Sequence, residues 1–93
     1  MKNPTEEQLK KIQDWDITIK DDISDFIDYL RTAWNYAEIG YFLHDPPYSY
    51  LELHTGGWSG NEAIIEVLEN TLFWTMCWQK SLRGGHYYFE IRP

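Results

Sequence analysis

Two short stretches of this sequence place glycine pairs next to residues that bind ligands or transfer protons. The first is HTGGWSGNE over residues 54–62, and the second is RGGHYYF over residues 83–89. A glycine-rich turn that enters a helix leaves several backbone N–H groups without partners, and the helix dipole adds positive potential there. Such helix ends bind phosphate or carboxylate groups. A neighbouring arginine can hold an anion through two parallel hydrogen bonds.

We therefore predict one binding face that is built from both stretches. Histidine and arginine side chains would donate hydrogen bonds to the bound group, and tryptophan would stack on a ring. The predicted ligand- or partner-binding residues are His54, Gly56, Gly57, Trp58, Ser59, Asn61, Arg83, His86 and Tyr88. In the competing interpretation, the glycines only make turns and Ser59 caps its own helix. The loop lacks the Gly-Lys-Ser/Thr ending of a P-loop.

Metal binding and nucleophilic catalysis have less support in the sequence. The three histidines stand ten and thirty-two residues apart, whereas zinc ligands usually include a closely spaced pair on one element. We predict no metal site and no cofactor. In GWSG over residues 57–60, glycine directly follows the serine, so the spacing differs from the G-x-S-x-G nucleophile elbow. Cys77 is expected to be a small buried residue. These patterns favour a protein that is not an enzyme.

Composition limits the classes of partner. The chain has 93 residues and a formal net charge of −7, which disfavours nucleic acid, because nucleic acids are bound first through Lys and Arg. Its five Trp, seven Tyr and four Phe exceed what a small core easily hides. Aromatic residues and Arg are enriched at binding hot spots. We therefore expect a protein partner or self-association. The alternative is a domain that uses the same glycine-rich loops to bind a small ligand, an anion or a nucleotide, or to catalyse a reaction. The aromatics expected to be partly exposed are Trp34, Tyr50, Trp58 and Tyr88.

The same composition bears on compartment and domain count. The N-terminus is polar and shows no signal-peptide pattern, and no apolar run is long enough to cross a bilayer. The single cysteine cannot form an intramolecular disulfide, which fits a reducing compartment. We predict a single domain over residues 1–93, located in the cytoplasm and not associated with a membrane.

Two helices are expected before the first glycine-rich stretch. Residues 5–8 form a capping box and predict a short helix over residues 5–14. Apolar residues spaced by three and four then predict the longest helix over residues 20–38, with a start signal at residues 18–21. This helix is expected to end before Gly40, because glycine commonly follows a helix C-terminus.

Strands are expected on either side of a short third helix. Residues 41–44 suggest a short strand, residues 45–47 a turn, and residues 48–55 a half-buried strand with Leu51 and Leu53 facing inward. A second capping box at residues 59–62 predicts a helix over about residues 60–69. Residues 71–79 fit both a strand and a helix, and we choose the strand because Thr, Phe and Trp favour strands. A last strand is expected over residues 86–91, with Tyr87, Phe89 and Ile91 facing the core.

These elements predict an α+β fold. We expect a small antiparallel sheet of three to four strands, with two N-terminal helices and one short helix packed on one face. The two glycine-rich bends are expected to lie side by side, so that the start of the third helix and the turn at Arg83 share one surface.

Four sequence patterns carry a resemblance to a group of known proteins. They are TGGWSGNE at residues 55–62, FW at 73–74, CW at 77–78 and RGGHY at 83–87. Together they resemble short proteins encoded in phages and prophages, which have no assigned activity. The resemblance covers about residues 54–91 and transfers no catalytic residue. It implies a mobile-element context, and hence a bacterial or phage-infected host cell.

Overall fold

The computed structural model describes residues 3–17, 22–45 and 50–91. The elements in chain order are α1 (Glu6–Asp14), α2 (Asp22–Ala33), a 3₁₀ turn (Ala37–Ile39), β1 (Phe42–Asp45), β2 (Tyr50–His54), α3 (Ser59–Leu68), α4 (Leu72–Cys77), β3 (Trp78–Leu82) and β4 (His86–Glu90). All strands pair antiparallel in one sheet with the order β1-β2-β4-β3. The predicted α+β class and antiparallel sheet are confirmed.

The sheet has one face in the core and one face toward solvent. Leu51 and Leu53 of β2 and Phe89 of β4 are fully buried, as the alternation of these strands predicts. The helices pack on this face: the ring of Phe73 in α4 lies 5.1 Å from that of Phe26 in α2 and 5.4 Å from that of Phe89. The other face carries half-buried polar and aromatic side chains, which are Tyr50, Glu52, His54, His86, Tyr88 and Glu90.

The second helix is shorter than predicted. It ends at Ala33 instead of continuing to residue 38. The backbone N–H of Asn35 donates to the side-chain oxygen of Asn61 at 2.7 Å, so it is not available for a helical bond. Tyr36 then adopts a left-handed conformation with φ of 61°. The exposure expected for Trp34 is wrong too, because this side chain is only 3% exposed and packs against Phe42.

The prediction of a strand over residues 71–79 is wrong for the residues before Trp78. Residues Leu72–Cys77 form helix α4, and only from Trp78 does the chain become a strand. The hydroxyl oxygen of Thr71 accepts a hydrogen bond from the N–H of Trp74 and starts this helix. Phe73 and Cys77 are both buried, whereas Thr75 between them is exposed. A strand would place all three on one face, so the burial pattern follows helical spacing.

Two predicted features lie partly or wholly outside the described residues. They are the helix start signal at residues 18–21 and most of the turn at residues 45–47. The remaining boundaries agree with the sequence patterns: α1, β1, β2 and β4 begin and end within a few residues of their predicted positions.

The two predicted capping boxes have different outcomes. At α1 the hydroxyl of Thr5 accepts from the N–H of Gln8 at 3.1 Å, and the Gln8 side chain accepts from the N–H of Thr5 at 2.9 Å. At α3 the prediction is wrong, because Ser59 is the first helical residue and the capping position is Trp58, which makes no side-chain capping bond.

This difference gives a matched pair of substitutions. Thr5→Ala is expected to lower the free energy of unfolding by about 1 kcal/mol, the usual cost of losing an N-cap hydroxyl. Ser59→Ala is expected to change it by less than about 0.5 kcal/mol, as for exposed residues without such a bond. Urea denaturation followed by circular dichroism measures both. Equal losses for the two variants would contradict the capping assignment.

Candidate functional site

The two glycine-rich stretches lie side by side, as predicted. Strands β2 and β4 are neighbours in the sheet, and their register places His54 opposite His86. The chain leaves β2 at the same end at which it enters β4, and the N–H of Thr55 donates to the carbonyl oxygen of Gly85 at 2.9 Å. We call residues 54–62 and 83–88 together the glycine corner. The corner is thus one continuous surface region built from two separate parts of the sequence.

Glycine is required in both turns of the corner. All four glycines of the two pairs, Gly56, Gly57, Gly84 and Gly85, have positive φ angles between 62° and 97°, where other residues are strained. At Gly85 there is a second reason, because a Cβ atom would overlap the hydroxyl oxygen of the buried Thr55. The close approach of the two turns therefore depends on the absence of a side chain at position 85.

Two imidazole rings form the polar centre of the corner. The Nδ1 atoms of His54 and His86 are 2.7 Å apart, and the Nε2 atom of His54 is 3.3 Å from the Oε2 atom of Glu52. The side chains of His54 and Glu52 are 16% and 27% exposed. Both ring nitrogens of His54 are therefore engaged within the protein, and His86 alone has a nitrogen without a partner among these three side chains.

An aromatic and cationic cluster continues the corner onto the open face of the sheet. The ring of Tyr88 lies 6.1 Å from that of His54 in an edge-to-face arrangement. The ammonium group of Lys80 lies 4.9 Å from the centre of the Tyr88 ring, within the range of a cation–π interaction. Arg83 is exposed in the turn between β3 and β4. Positive charge and aromatic surface therefore meet at this end of the sheet.

Residues at the start of α3 hold the corner in place through packing and buried hydrogen bonds. Trp58 packs against the ring of Tyr36 at 5.0 Å and covers Gly56, where a Cβ would lie 3.0 Å from its ring. Asn61 is fully buried, and its side-chain amide bonds the backbone of Asn35 and the carbonyl oxygen of Thr55. Of the predicted binding residues in this stretch, Asn61 therefore holds the corner together and does not reach its surface.

The predicted binding residues leave out two members of this cluster, Glu52 and Lys80. Glu52 shares a strand face with His54, and the alternation of β2 already placed the two side chains together. Lys80 lies opposite Tyr88 only because a bulge between Trp78 and Lys80 shifts the register of β3. Strand bulges leave little trace in a sequence, so the position of Lys80 depends on the three-dimensional structure.

A second surface feature is apolar. On α4 the side chains of Leu72 and Met76, one turn apart, are 49% and 55% exposed. Trp78, which follows them, is 43% exposed and stacks on Trp74 at 6.2 Å. Every residue of β3, an edge strand of the sheet, is exposed. Exposed aromatic and Met side chains of this kind are enriched in protein–protein interfaces.

The thiol of Cys77 is unsuited to nucleophilic chemistry. The residue is 2% exposed, and burial raises the pKa of its thiol, so the reactive thiolate is disfavoured. Among the residues that the structure describes, no group of three His, Cys, Asp or Glu side chains is arranged to hold a metal ion. Within the same residues, each helix is too short or too polar to cross a membrane.

Comparison of the chain with models of known protein families, with curated protein sequences and with solved structures gives no match.

Proposed function

We propose that this chain is a small acidic binding protein without enzymatic activity, and that it engages a partner protein through the glycine corner. One observation carries the proposal: a backbone hydrogen bond joins the two glycine-rich turns into one surface. The bond connects Thr55 to Gly85, which are 30 residues apart along the chain. Beside them Tyr88, Lys80 and Arg83 offer aromatic and cationic contacts, the residue types that dominate binding hot spots.

The uncovered face of the sheet adds to this surface. The helices pack on the opposite face, so a partner can reach Tyr88 and the corner without displacing a described helix. The exposed apolar side chains on α4 and β3 form a separate second patch for a partner or a second copy of the chain. A phage or prophage origin, and a cytoplasmic location in the host, are part of the same proposal and rest on the sequence patterns alone.

The test compares variants of the corner with a matched variant elsewhere. Tagged chain is used to capture proteins from the cell that encodes it, and the retained partner is then titrated with purified variants. Arg83→Ala and Tyr88→Ala are each expected to weaken binding by about 30-fold, the effect of a hot-spot loss of about 2 kcal/mol. Lys10→Ala, exposed on α1, is the control and should leave the affinity unchanged.

Two results would overturn the proposal. One is a partner whose affinity is the same for wild type and both corner variants. The other is a chain that retains no protein and sediments as a strict monomer at high concentration. If sedimentation instead shows a dimer that Arg83→Ala weakens, the partner is a second copy of the chain.

A small anionic ligand is the second candidate, and one observation favours it. Helix α3 starts at Ser59 without a side-chain cap, and its first helical hydrogen bond runs from the N–H of Glu62 to Trp58. The N–H groups before that bond have no carbonyl partner within the helix. Titration with phosphate, sulfate and nucleotides should shift the amide NMR signals of Ser59 and Gly60 if an anion binds there. Unchanged signals would remove this candidate.

A further inference from the structure

The contact between His54 and Glu52 determines which ring nitrogen of each imidazole carries a hydrogen. A carboxylate only accepts hydrogen bonds, so the Nε2 atom of His54, 3.3 Å from Glu52, carries a hydrogen. A neutral imidazole has one N–H group, and the Nδ1 atom of His54 is therefore an acceptor. At 2.7 Å from it, the Nδ1 atom of His86 must donate. The Nε2 atom of His86 is then left with a free lone pair.

That nitrogen faces the second glycine turn. A Cβ atom built on Gly84 would lie 3.3 Å from the Nε2 atom of His86. Gly84 is exposed and His86 is half-buried, so the missing side chain at position 84 leaves the nitrogen open to an approaching group. Any side chain at position 84 would crowd this nitrogen.

We propose that Glu52, His54 and His86 form a hydrogen-bond relay that makes the Nε2 atom of His86 a binding site for an N–H or O–H donor. Uptake of one proton changes the Nε2 atom of His86 from a hydrogen-bond acceptor into a donor. It then no longer binds the N–H or O–H donor of the ligand. The proposal deepens the proposed function, because it names the group that a partner would present and the condition that releases it.

The reversal holds whichever imidazole carries the charge. If the proton adds to His86, it takes the only free lone pair, on Nε2. If His54 becomes the cation, its Nδ1 atom donates to the Nδ1 atom of His86, and the hydrogen of His86 moves to Nε2. In both cases the open nitrogen changes from acceptor to donor. A second proton would place N–H groups on both Nδ1 atoms, which are 2.7 Å apart, and would break their contact.

Among the described residues, the charged and titratable groups nearest the pair lie on β2, β3, β4 and the turn before β4. Strand β2 contributes Glu52, which favours a proton on the relay, and β4 contributes Tyr88, whose ring edge approaches His54. Strand β3 contributes Lys80, which lies over Tyr88, and the adjoining turn contributes Arg83; both oppose a further positive charge.

Long-range ¹H–¹⁵N correlation spectra of the free chain test the relay directly, because they distinguish protonated from unprotonated ring nitrogens. At neutral pH we expect hydrogen on Nε2 of His54 and on Nδ1 of His86. On acidification the first change should be a hydrogen appearing on Nε2 of His86. A neutral His86 that already carries its hydrogen on Nε2, or a pair that takes up two protons in one step, would overturn the proposal.

A matched pair of variants tests the role of Glu52. In Glu52→Leu the acceptor is lost, and the ¹⁵N spectra should show His54 with its hydrogen shared between both ring nitrogens at neutral pH. Glu66→Leu removes an exposed carboxylate from α3 and should leave the wild-type pattern. An unchanged pattern in Glu52→Leu would show that Glu52 does not order the relay.

Diethyl pyrocarbonate, which modifies accessible unprotonated imidazole nitrogens, tests the open site. His86 should be modified before His54, and Gly84→Ala should slow the modification of His86. Gly40→Ala lies outside the glycine corner, has a similar positive φ and places no atom within 4 Å of the added Cβ. It is the control and should react like wild type. Faster modification of His54 than of His86 would overturn the site. These measurements use the free chain and need no partner. A failure of the relay is therefore distinguished from a failure of the proposed partner binding.

Discussion

Gly85→Ala is expected to lower the free energy of unfolding by about 4 kcal/mol, a large share of the stability of a small domain. Two costs add at this position. The backbone φ of 84° costs an alanine about 1–2 kcal/mol. The new Cβ would also overlap the hydroxyl oxygen of Thr55, a residue only 1% exposed, and forced overpacking in the interior costs typically about 1–3 kcal/mol.

Two further variants separate these costs. Gly57→Ala has a φ of 77° and nothing within 4 Å of the added atom, so it should lose only the backbone term of about 1–2 kcal/mol. The double variant Thr55→Ala with Gly85→Ala removes the overlapping hydroxyl. It should be more stable than the sum of the single losses predicts, by about 1–2 kcal/mol, since contacting residues couple by that order.

Urea unfolding gives each value for five chains, which are wild type, Gly57→Ala, Gly85→Ala, the double variant and Thr55→Ala as its second single variant. If Gly85→Ala costs no more than Gly57→Ala, the two turns are not in the contact that the structure shows, and the glycine corner loses its basis. If Gly85→Ala alone is strongly destabilising but the double variant shows no coupling, the cost comes from backbone strain at position 85 and not from Thr55.

The corner shows how far the sequence leads. Alternation in β2 and β4 predicts which side chains of each strand face the core, because one face of each strand must be buried. The pairing of these two strands is a contact between residues 32 positions apart, from His54 to His86. Periodicity within a strand carries no information about such a neighbour. The predicted adjacency follows from placing both strands in one small sheet, and the hydrogen bond from Thr55 to Gly85 confirms it.

The errors in helix prediction have local causes that the sequence partly hides. Residues 72–77 suit a strand by composition, but the hydroxyl of Thr71 caps a helix there. Thr75 is exposed between the buried Phe73 and Cys77, which fits a helix and not a strand face. Ser59 has the residue type of a cap but lies one position too late. Residue type predicts where a helix can start, but the capping position here is Trp58, whose ring packs against Tyr36.

The buried amide of Asn61 leads to the second large effect. It is fully buried, and its side chain makes three hydrogen bonds to two other segments. The oxygen accepts from the N–H of Asn35 at 2.7 Å, while the nitrogen donates to the carbonyls of Asn35 and Thr55 at 3.2 and 3.4 Å. One amide therefore connects the end of α2, the first turn of the corner and α3.

Asn61→Ala is expected to lower the free energy of unfolding by about 3 kcal/mol or more, because each buried polar group left without a partner costs about 1–3 kcal/mol. Asn70→Ala is the matched control: Asn70 is exposed and its amide bonds only the nearby carbonyl of Glu66 at 3.1 Å. Exposed substitutions of this kind change stability by about 0.5 kcal/mol or less. Denaturant unfolding of both variants measures the difference, and similar values would contradict the structural role of Asn61.

Asn61→Asp separates the contribution of the hydrogen bond that this side chain accepts from that of the two it donates. An aspartate can still accept from the N–H of Asn35, but as a carboxylate it faces the carbonyl oxygens of Asn35 and Thr55 without a hydrogen to donate. Burial and these oxygens favour its protonated form in the folded chain. Its stability deficit relative to wild type should therefore be largest at neutral pH and shrink as the pH falls and the side chain gains a proton. A deficit that does not change with pH would mean that the donated bonds contribute little. The fixed position of the corner would then depend mainly on the bond accepted from Asn35.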